Sequence, residues 1–283
     1  MSIKLIALDL DGTLFNNQGE ISEENKRVIK MANDAGIHVV ISTGRPLIGI
    51  PLEQFADTGI QYAITTNGSG VYEISTGTCI YEDSMPTEMI LPILSYLLSK
   101  DIHMDAFIGG KAFSPEQCRK NAYRLDVPES LMHYILNTRV RVPDLSAFIQ
   151  ENHLSVQKMT LNFYPLPDAT YKDREDVRKF LLSHPEVSSV CGGYHNLEFT
   201  KAGVHKGIGL MKLAEHLGIA MEDTMAIGDT ENDLQIINTA ALGVAMGNAT
   251  EEIKAAADYI TLSNEEDGVA AAIQHFLPEL FYK

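Results

Sequence analysis

The chain has 283 residues, of which 45% are hydrophobic and 21% charged, a composition typical of a globular protein long enough for two domains. Its 38 acidic and 22 basic side chains give a formal net charge of -16, which disfavours binding to nucleic acid and to anionic membranes. No apolar segment reaches the about 18 residues of a membrane-spanning helix, and the three scattered cysteines suggest no disulfide framework. We therefore expect a cytoplasmic protein.

The beginning of the chain predicts alternating strands and helices. Residues 4–9 form an apolar run that ends in a carboxylate, which is typical of a central parallel strand. Ser22 is placed to cap a helix that ends at Gly36. Residues 37–42 and 61–66 are two further strands. Short connections between such elements predict right-handed crossovers and a parallel sheet.

The character of the sequence changes after a hairpin predicted in residues 71–82, whose two halves alternate around a turn that contains Gly77. Helical stretches then lie among strands with an antiparallel pattern. The clearest of these elements are helices near 87–99 and 170–183 and strands over 102–108 and 155–164. We therefore predict an α+β domain inserted over residues 84–197.

The alternating α/β pattern returns after residue 197. A helix over about 205–217 ends at Gly218 and is followed by further strands and helices. The strands are predicted over 224–227, 242–246 and 258–262, and the helices near 250–257 and 266–276. Residues 1–83 and 198–283 thus predict one discontinuous α/β core, in which ligands bind at the carboxyl ends of the strands.

The first group of candidate functional residues is Asp9-Leu10-Asp11-Gly12-Thr13, at the end of the first strand. Carboxylates two positions apart leave a strand on the same side, so that one can attack phosphorus while the other handles a proton. Gly12 permits a sharp turn that exposes N–H groups to an anion. A simple turn has the same composition. An EF-hand loop is excluded because its sixth position would be Leu14 instead of glycine.

Two further groups follow the second strand and precede a late helix. Ser42-Thr43-Gly44-Arg45 offers a hydroxyl and a guanidinium that suit phosphoryl oxygens, although a capped loop explains it as well. Lys206 lies at a helix start, where a cation opposes the helix dipole. Such a local conflict is typical of functional residues, with a solvated surface lysine as the alternative.

The fourth group, Gly228-Asp229-Thr230-Glu231-Asn232-Asp233, is an acidic loop between a buried strand and a helix. Its hard oxygen ligands suit magnesium. An acidic first turn of a helix is the alternative explanation, because helices favour it regardless of function.

The four groups together resemble the motifs of the haloacid dehalogenase (HAD) superfamily of phosphohydrolases. The Thr-Gly-Arg-Pro and Gly-Asp-x-x-Asn-Asp forms resemble its Cof-type, or class IIB, subfamily. Residues 9–13 look like the first motif of the superfamily, and Thr43 (or Ser42) looks like the second. Lys206 looks like the third motif, and residues 228–233 look like the fourth. The resemblance implies an α/β fold: a HAD-like Rossmannoid parallel-sheet core with an inserted α+β cap domain.

The resemblance also implies a magnesium-dependent phosphatase that acts on small phosphorylated metabolites. Asp9 would be the nucleophile that forms an aspartyl phosphate, Asp11 the general acid and base, and Lys206 a cation that offsets charge. The implied phosphate or substrate contacts are Leu10, Thr43, Gly44, Arg45 and Asn232. The implied Mg²⁺ ligands are Asp9, the backbone carbonyl of Asp11, and Asp229. Asp233 would orient Lys206 or metal-bound water.

Two alternative functions stay open, of which the sequence disfavours only the second. A HAD-like phosphomutase would share Asp9 and Asp11 but return the phosphoryl group to a sugar. A non-catalytic binding domain would have no need of Asp11. Within the cap, the turn Gly109-Gly110-Lys111 and the segment near Tyr194 and His195 are candidate substrate contacts. We expect a monomer or weak homodimer.

Overall fold

The computed structural model of the protein describes residues 2–191 and 195–281. The chain divides into two compact units, one of residues 1–44, 50–81 and 205–283, the other of residues 45–49 and 82–204. The sequence placed the second boundary near residue 197. In the structure the second unit extends to residue 204, because the strand Leu197–Lys201 pairs within the sheet of that unit.

The chain forms strands and helices throughout its described parts. The strands are β1 (Leu5–Leu8), β2 (His38–Ser42), β3 (Tyr62–Thr65), β4 (Gly70–Glu73), β5 (Thr78–Glu82), β6 (His103–Ile108), β7 (Lys111–Pro115), β8 (Arg139–Val142), β9 (Lys158–Asn162), β10 (Val187–Val190), β11 (Leu197–Lys201), β12 (Thr224–Gly228), β13 (Leu242–Ala245) and β14 (Tyr259–Ile260). The helices are α1 (Glu23–Asp34), α2 (Thr87–Leu98), α3 (Glu116–Lys120), α4 (Glu129–Thr138), α5 (Leu145–Glu151), α6 (Arg174–Leu182), α7 (Lys206–Leu217), α8 (Leu234–Thr239), α9 (Glu251–Ala256) and α10 (Gly268–Phe276).

The first unit is built on an eight-stranded sheet with the order β14-β13-β12-β1-β2-β3-β4-β5. Its pairs from β14 to β3 are parallel, and β4 joins β3 antiparallel. The four residues of β1 are buried, which the central position of this strand explains. The predicted parallel α/β core is confirmed, with a mixed edge where the hairpin was expected.

Local sequence explains where α1 begins. The side chain of Ser22 accepts a hydrogen bond from the N–H of Asn25 and caps the helix as predicted. The face of α1 with Val28, Ile29 and Ala32 is buried, because these residues recur at helical spacing. The helix thus contributes an apolar stripe to the core of the first unit.

The second unit contains a six-stranded sheet with the order β10-β11-β9-β6-β7-β8. All its pairs are antiparallel except β7 with β8, which is parallel. Alternate residues of the sheet form a buried apolar cluster with residues of α2, α5 and α6. The α+β character is therefore confirmed, although the sequence analysis did not predict α3, α4, α5 and β8.

The candidate cap contacts have different outcomes. Gly109 and Gly110 form the turn between β6 and β7, as expected. Tyr194 lies outside the described residues, and the ring of His195 stacks on Tyr171 at 4.6 Å between centroids. Among the described helices, none has both the length and the apolar character needed to cross a membrane.

Candidate active site

The carboxyl ends of the central strands bring the predicted motifs together. Leu8 pairs with Ile227 of β12 on one side and with Ile41 of β2 on the other. The next residue, Asp9, therefore lies beside the ends of both neighbouring strands, and its N–H donates to the carbonyl of Ile227 at 3.1 Å. Residues 42–44 and 228–233 continue from these same strand ends.

Lys206 lies at the centre of this group, although it begins α7. Its side chain is fully buried, and its Nζ lies 2.7 Å from Oδ1 of Asp9 and 2.6 Å from Oδ1 of Asp233. Nζ also donates to Oδ1 of Asn232 at 3.3 Å. Burial disfavours the charged ammonium, but attraction to Asp233 and Asp9 outweighs it, so that the pKa of Lys206 is raised. The lysine is thus held as a cation among acidic groups.

Asp233 has both carboxylate oxygens engaged by the protein. Oδ1 accepts from Lys206, while Oδ2 accepts from the N–H groups of Asp229 at 3.1 Å and Thr230 at 3.2 Å. The hydroxyl of Thr230 in return accepts from the N–H of Asp233, which completes a capping box. This carboxylate therefore fixes the acidic loop against Lys206.

Three buried carboxylates gather beside the lysine. Asp9, Asp229 and Asp233 each offer an oxygen, and these oxygens lie within 4.8 Å of one another. Burial raises the pKa of Asp9 well above its usual value, with Lys206 opposing this shift and Asp233 adding to it. Burial, followed by repulsion from Asp233, raises the pKa of Asp229 to about 7. One ammonium group does not offset this concentration of negative charge.

The donor set fits a divalent metal ion with hard-ligand preference. Carboxylate oxygens are the ligands that such ions select, and a cation would offset the charge that raises these pKa values. Because Asp233 already accepts from Lys206 and two N–H groups through both of its oxygens, Asp9 and Asp229 are the side chains best suited to hold the ion. The ligand role predicted for Asp11 concerns its backbone carbonyl and stays a prediction.

The turn after β1 holds Asp229 in place. The hydroxyl of Thr13 donates to Oδ1 of Asp229 at 2.9 Å, and both side chains are buried. Gly12 has a φ of 86°, and a Cβ at this position would lie only 2.3 Å from Oδ2 of Asp229. Both backbone conformation and close approach therefore require glycine. Thr13 stood in the predicted motif, but the sequence analysis assigned it no contact.

Asp9 and Asp11 occupy different environments despite their close spacing. Asp9 is 5% exposed and lies in the carboxylate cluster, whereas Asp11 is exposed to solvent. The side chain of Leu10 is fully buried, so only its backbone is available to an anion. A buried carboxylate beside a cation and an exposed one two residues later are suited to different chemical tasks.

The end of β2 contributes a buried hydroxyl pair. Thr43 is 1% exposed, and its N–H donates to the carbonyl of Ile64 at 2.8 Å. The Oγ of Ser42 is buried and has no hydrogen-bond partner among the described residues. The structure therefore leaves both residues as candidates for the second motif.

Gly44 and Arg45 lie on either side of the division between the units. Gly44 ends the first segment of the first unit, and Arg45 belongs to the second unit. The guanidinium of Arg45 donates to the carbonyl of Gly49 at 3.1 Å and lies 4.9 Å from the ring centroid of Tyr134. The sequence analysis grouped Arg45 with the core motifs, whereas these contacts are made within the second unit.

Asn232 is held from both ends of its side-chain amide. Its Oδ1 accepts from Lys206 at 3.3 Å and from the hydroxyl of Thr230 at 3.0 Å. Its Nδ2 donates to Oδ1 of Asn67 at 3.3 Å. The sequence analysis predicted a strand over residues 61–66 and gave no role to Asn67, the residue that follows it. The available signal was its position, since Asn67-Gly68 follows β3 at the same edge of the sheet.

Comparison with known proteins agrees with this arrangement. The haloacid dehalogenase-like hydrolase family matches residues 6–273. Phosphatase YwpJ of Bacillus subtilis (strain 168) is 32% identical over 97% of this chain and 100% of its own length. The 5-amino-6-(5-phospho-D-ribitylamino)uracil phosphatase YcsE of the same organism is 32% identical over 98% of this chain and 97% of its own.

Solved structures extend the likeness to the fold. The HAD subclass IIB sugar phosphatase BT4131 matches with a TM-score of 0.78 and 28% identity, covering 96% of this chain and 98% of its own. The family match spans both units and every residue gathered around Lys206. The chain therefore belongs to the haloacid dehalogenase-like hydrolases.

Proposed function

We propose that this chain is a magnesium-dependent phosphatase that hydrolyses small phosphorylated metabolites through an aspartyl phosphate on Asp9. The observation that carries the proposal is that a buried carboxylate at a strand end pairs with a buried lysine. Oδ1 of Asp9 lies 2.7 Å from Nζ of Lys206, and the carboxylates of Asp229 and Asp233 lie beside this pair. The curated relatives YwpJ and YcsE are named phosphatases, which supports the same reaction class.

The first half of the reaction transfers the phosphoryl group to the protein. A carboxylate oxygen of Asp9 attacks phosphorus while the bond from phosphorus to the leaving oxygen breaks. Asp11 gives its proton to that oxygen, so the product leaves as an alcohol. The exposure of Asp11 suits this task, because the leaving oxygen of an incoming substrate can reach an exposed carboxyl group.

The second half regenerates the free carboxylate. Asp11 now accepts a proton from water, whose oxygen attacks phosphorus and displaces the carboxylate of Asp9. Lys206 stays charged throughout and offsets the negative charge that nucleophile and phosphoryl group bring together. The hydroxyl of Thr43, the backbone of residues 10, 11 and 44, and the amide of Asn232 are the proposed contacts to the phosphoryl oxygens.

Magnesium is the proposed cofactor, held by Asp9, the backbone carbonyl of Asp11, and Asp229. When bound, the ion supplies positive charge that draws in the phosphoryl group and stabilises its equatorial oxygens. The hard oxygen donors and the raised pKa values of Asp9 and Asp229 support a cation at this position. Thr13 and Asp233 would keep these donors in place.

The proposed substrates are phosphate monoesters of sugars or sugar-like polyols. The relative YcsE is named for a substrate with a phosphorylated ribityl chain, and BT4131 is named a sugar phosphatase. Both names describe a phosphate on a polyhydroxylated carbon chain. The second unit, which includes Arg45, is proposed to recognise this chain. The cytosolic location and the monomeric or weakly dimeric state stay predictions.

The test is a panel of phosphorylated metabolites, with release of inorganic phosphate measured with magnesium and with excess chelator. We expect release from sugar and polyol phosphates that requires magnesium, with calcium inhibiting because it accepts more ligands at longer distances. Full activity in chelator would refute the metal assignment. Formation of an isomeric sugar phosphate without phosphate release would instead indicate a phosphomutase.

A further inference from the structure

The turn Thr66–Gly68, at the carboxyl end of β3, has an unusual backbone. Thr66, Asn67 and Gly68 have consecutive positive φ angles of 50°, 57° and 94°. This region is unfavourable for residues that carry a Cβ, and least so for asparagine. Thr66 is 0% and Asn67 6% exposed. Such a conformation persists where surrounding contacts hold it, often at functional sites.

The contacts of this turn reach three of the loops that form the active site. The N–H of Asn67 donates to the carbonyl of Thr43 at 3.2 Å. A Cβ on Gly68 would lie 2.2 Å from the carbonyl oxygen of His205, so the turn packs on the peptide that precedes Lys206. The side chain of Asn67 accepts from Asn232 at 3.3 Å. One turn thus contacts the loops that supply Thr43, Lys206 and Asn232.

The hydrogen bonds of Asn232 explain why an acceptor is needed at residue 67. Oδ1 of Asn232 faces two donors, the ammonium of Lys206 and the hydroxyl of Thr230, whose own oxygen accepts from Asp233. The opposite end of the amide is therefore the NH₂ group, a donor in a part-buried position. Oδ1 of Asn67 is that acceptor.

We propose that Asn67 is a positioning residue, whose side-chain carbonyl fixes the amide of Asn232 beside Lys206 in the orientation used for phosphoryl transfer. Asparagine meets both requirements at this position, because it tolerates the left-handed backbone and its side chain presents an acceptor. The inference rests on the proposed phosphatase function. A purely structural role is the competing explanation, in which asparagine serves only to accommodate the backbone.

The variant Asn67→Gly separates these two roles, because glycine adopts the same backbone and removes the amide. We expect kcat to fall about fivefold, as for loss of one part-buried hydrogen bond, with a smaller change in KM. The matched control is Asp57→Gly, an exposed residue with a φ of 65°, which should leave both constants unchanged. Wild-type kinetics in Asn67→Gly would overturn the proposal.

A double-mutant cycle with Asn232→Ala tests whether Asn67 acts through Asn232. We expect Asn67→Gly to have little further effect on kcat once the amide of Asn232 is absent. Additive losses in the double variant would overturn the proposed route and leave Asn67 with an independent effect. Circular dichroism and thermal unfolding on each variant exclude loss of the fold as the cause.

The position of the Asn232 amide can also be read without any substrate. In ¹⁵N-labelled protein, the side-chain NH₂ signals of Asn232 are identified by their loss in Asn232→Ala. We expect these signals to shift in Asn67→Gly and to stay in place in Asp57→Gly. Unshifted signals in Asn67→Gly would overturn the positioning role. A wild-type protein that hydrolyses no phosphate ester would refute the proposed function alone, since the spectra report the contact directly.

Discussion

At the scale of single residues, Lys206 shows how a residue that is unfavourable at its position in a helix is stabilised by partners that are distant in the sequence. A cation at the first position of a helix opposes the helix dipole. Here its Nζ contacts carboxylates of Asp9 and Asp233, at 2.7 and 2.6 Å, in a region closed to solvent. Loss of the Lys206 ammonium would be strongly destabilising, because the buried carboxylates of Asp9 and Asp233 would then lack their cation. The lysine therefore links stability to chemistry.

Asp9→Asn tests covalent catalysis. An amide cannot form the acyl phosphate, so we expect less than about a thousandth of the wild-type rate on p-nitrophenyl phosphate, with an unchanged circular dichroism spectrum. Mass spectrometry of rapidly quenched protein should detect a phosphoryl adduct only in the wild type. The control Asp34→Asn removes a surface carboxylate that pairs with Lys30 and should leave the rate unchanged. Substantial activity in Asp9→Asn would exclude this residue as the nucleophile.

Asp229→Asn tests the link between charge and stability in metal-free protein. The pKa of Asp229 is raised from 3.8 to about 7, so the folded state retains a proton that the unfolded state releases. The free energy of unfolding in chelator should therefore fall as the pH rises from about 4 to about 7. We expect Asn at this position to weaken this fall and to make the metal-free protein more stable than the wild type at pH 8.

Denaturant titrations at pH 5 and pH 8 measure both effects, and magnesium provides a second readout. Magnesium should raise the unfolding midpoint of the wild type and have little effect on Asp229→Asn, because a ligand stabilises only the state that binds it. An equal magnesium response in the two proteins would show that Asp229 is not a ligand.

At the scale of elements, the turn after β1 sets the distance between two strand ends. Gly12→Ala would add a Cβ 2.3 Å from Oδ2 of Asp229, while Gly19→Ala, with a similar φ of 77°, has nothing within 4 Å. Both changes should destabilise the fold by about 1 kcal/mol through the backbone. Only Gly12→Ala displaces Asp229, so only it should lower kcat/KM, on the order of a hundredfold. Equal kinetics in the two variants would contradict this account.

The sequence predicted best those elements whose signal is local. The buried run Leu5–Leu8 and the cap at Ser22 both follow from neighbouring residues, and both were predicted correctly. Helix α3 has five residues and strand β8 has four, too few for a periodic pattern to stand out from the surrounding sequence, and both were missed. A strand that is a continuous apolar run can be predicted from its own residues. A short element depends on the elements that pack or pair with it, which its own residues do not reveal.

The same division applies to the site. Four motifs, three at strand ends and one at the start of α7, were recognised because the chemistry of each depends on residues that are adjacent in the sequence. Thr13 and Asn67 were assigned no role because their partners, Asp229 and Asn232, are 216 and 165 residues away in the chain. Such contacts depend on strand order, which the motifs by themselves do not specify.

At the scale of the whole molecule, the eight-stranded sheet draws on residues 5–82 and 224–260 alone. Formation of this sheet therefore does not require the strands of the second sheet. We predict that replacing residues 83–204 with a short flexible linker leaves a core that folds and retains chemistry on small activated esters. Substrate choice, in contrast, should be lost, because binding energy from remote groups is no longer available to the transition state.

The measurement is the ratio of kcat/KM for the best metabolite to that for p-nitrophenyl phosphate, in the full chain and in the shortened one. We expect the ratio to fall in the shortened chain, because p-nitrophenyl phosphate has a good leaving group that needs little help. Circular dichroism serves as the control for folding. An unchanged ratio in a folded core would show that the first unit determines specificity.

The pairing of β1 with β12 has a consequence for the protein during its synthesis. Asp9 leaves the ribosome 197 residues before Lys206, which at about 5–20 residues per second is a delay of roughly 10–40 s. During that interval one edge of β1 lacks its neighbour, since Thr224–Gly228 has not yet been translated. The nascent chain therefore passes through a stage with an open apolar strand, of the kind that chaperones protect. A messenger truncated before this point would yield an aggregation-prone chain without Asp229, so the carboxylate cluster around Lys206 can assemble only after residue 233 has been translated.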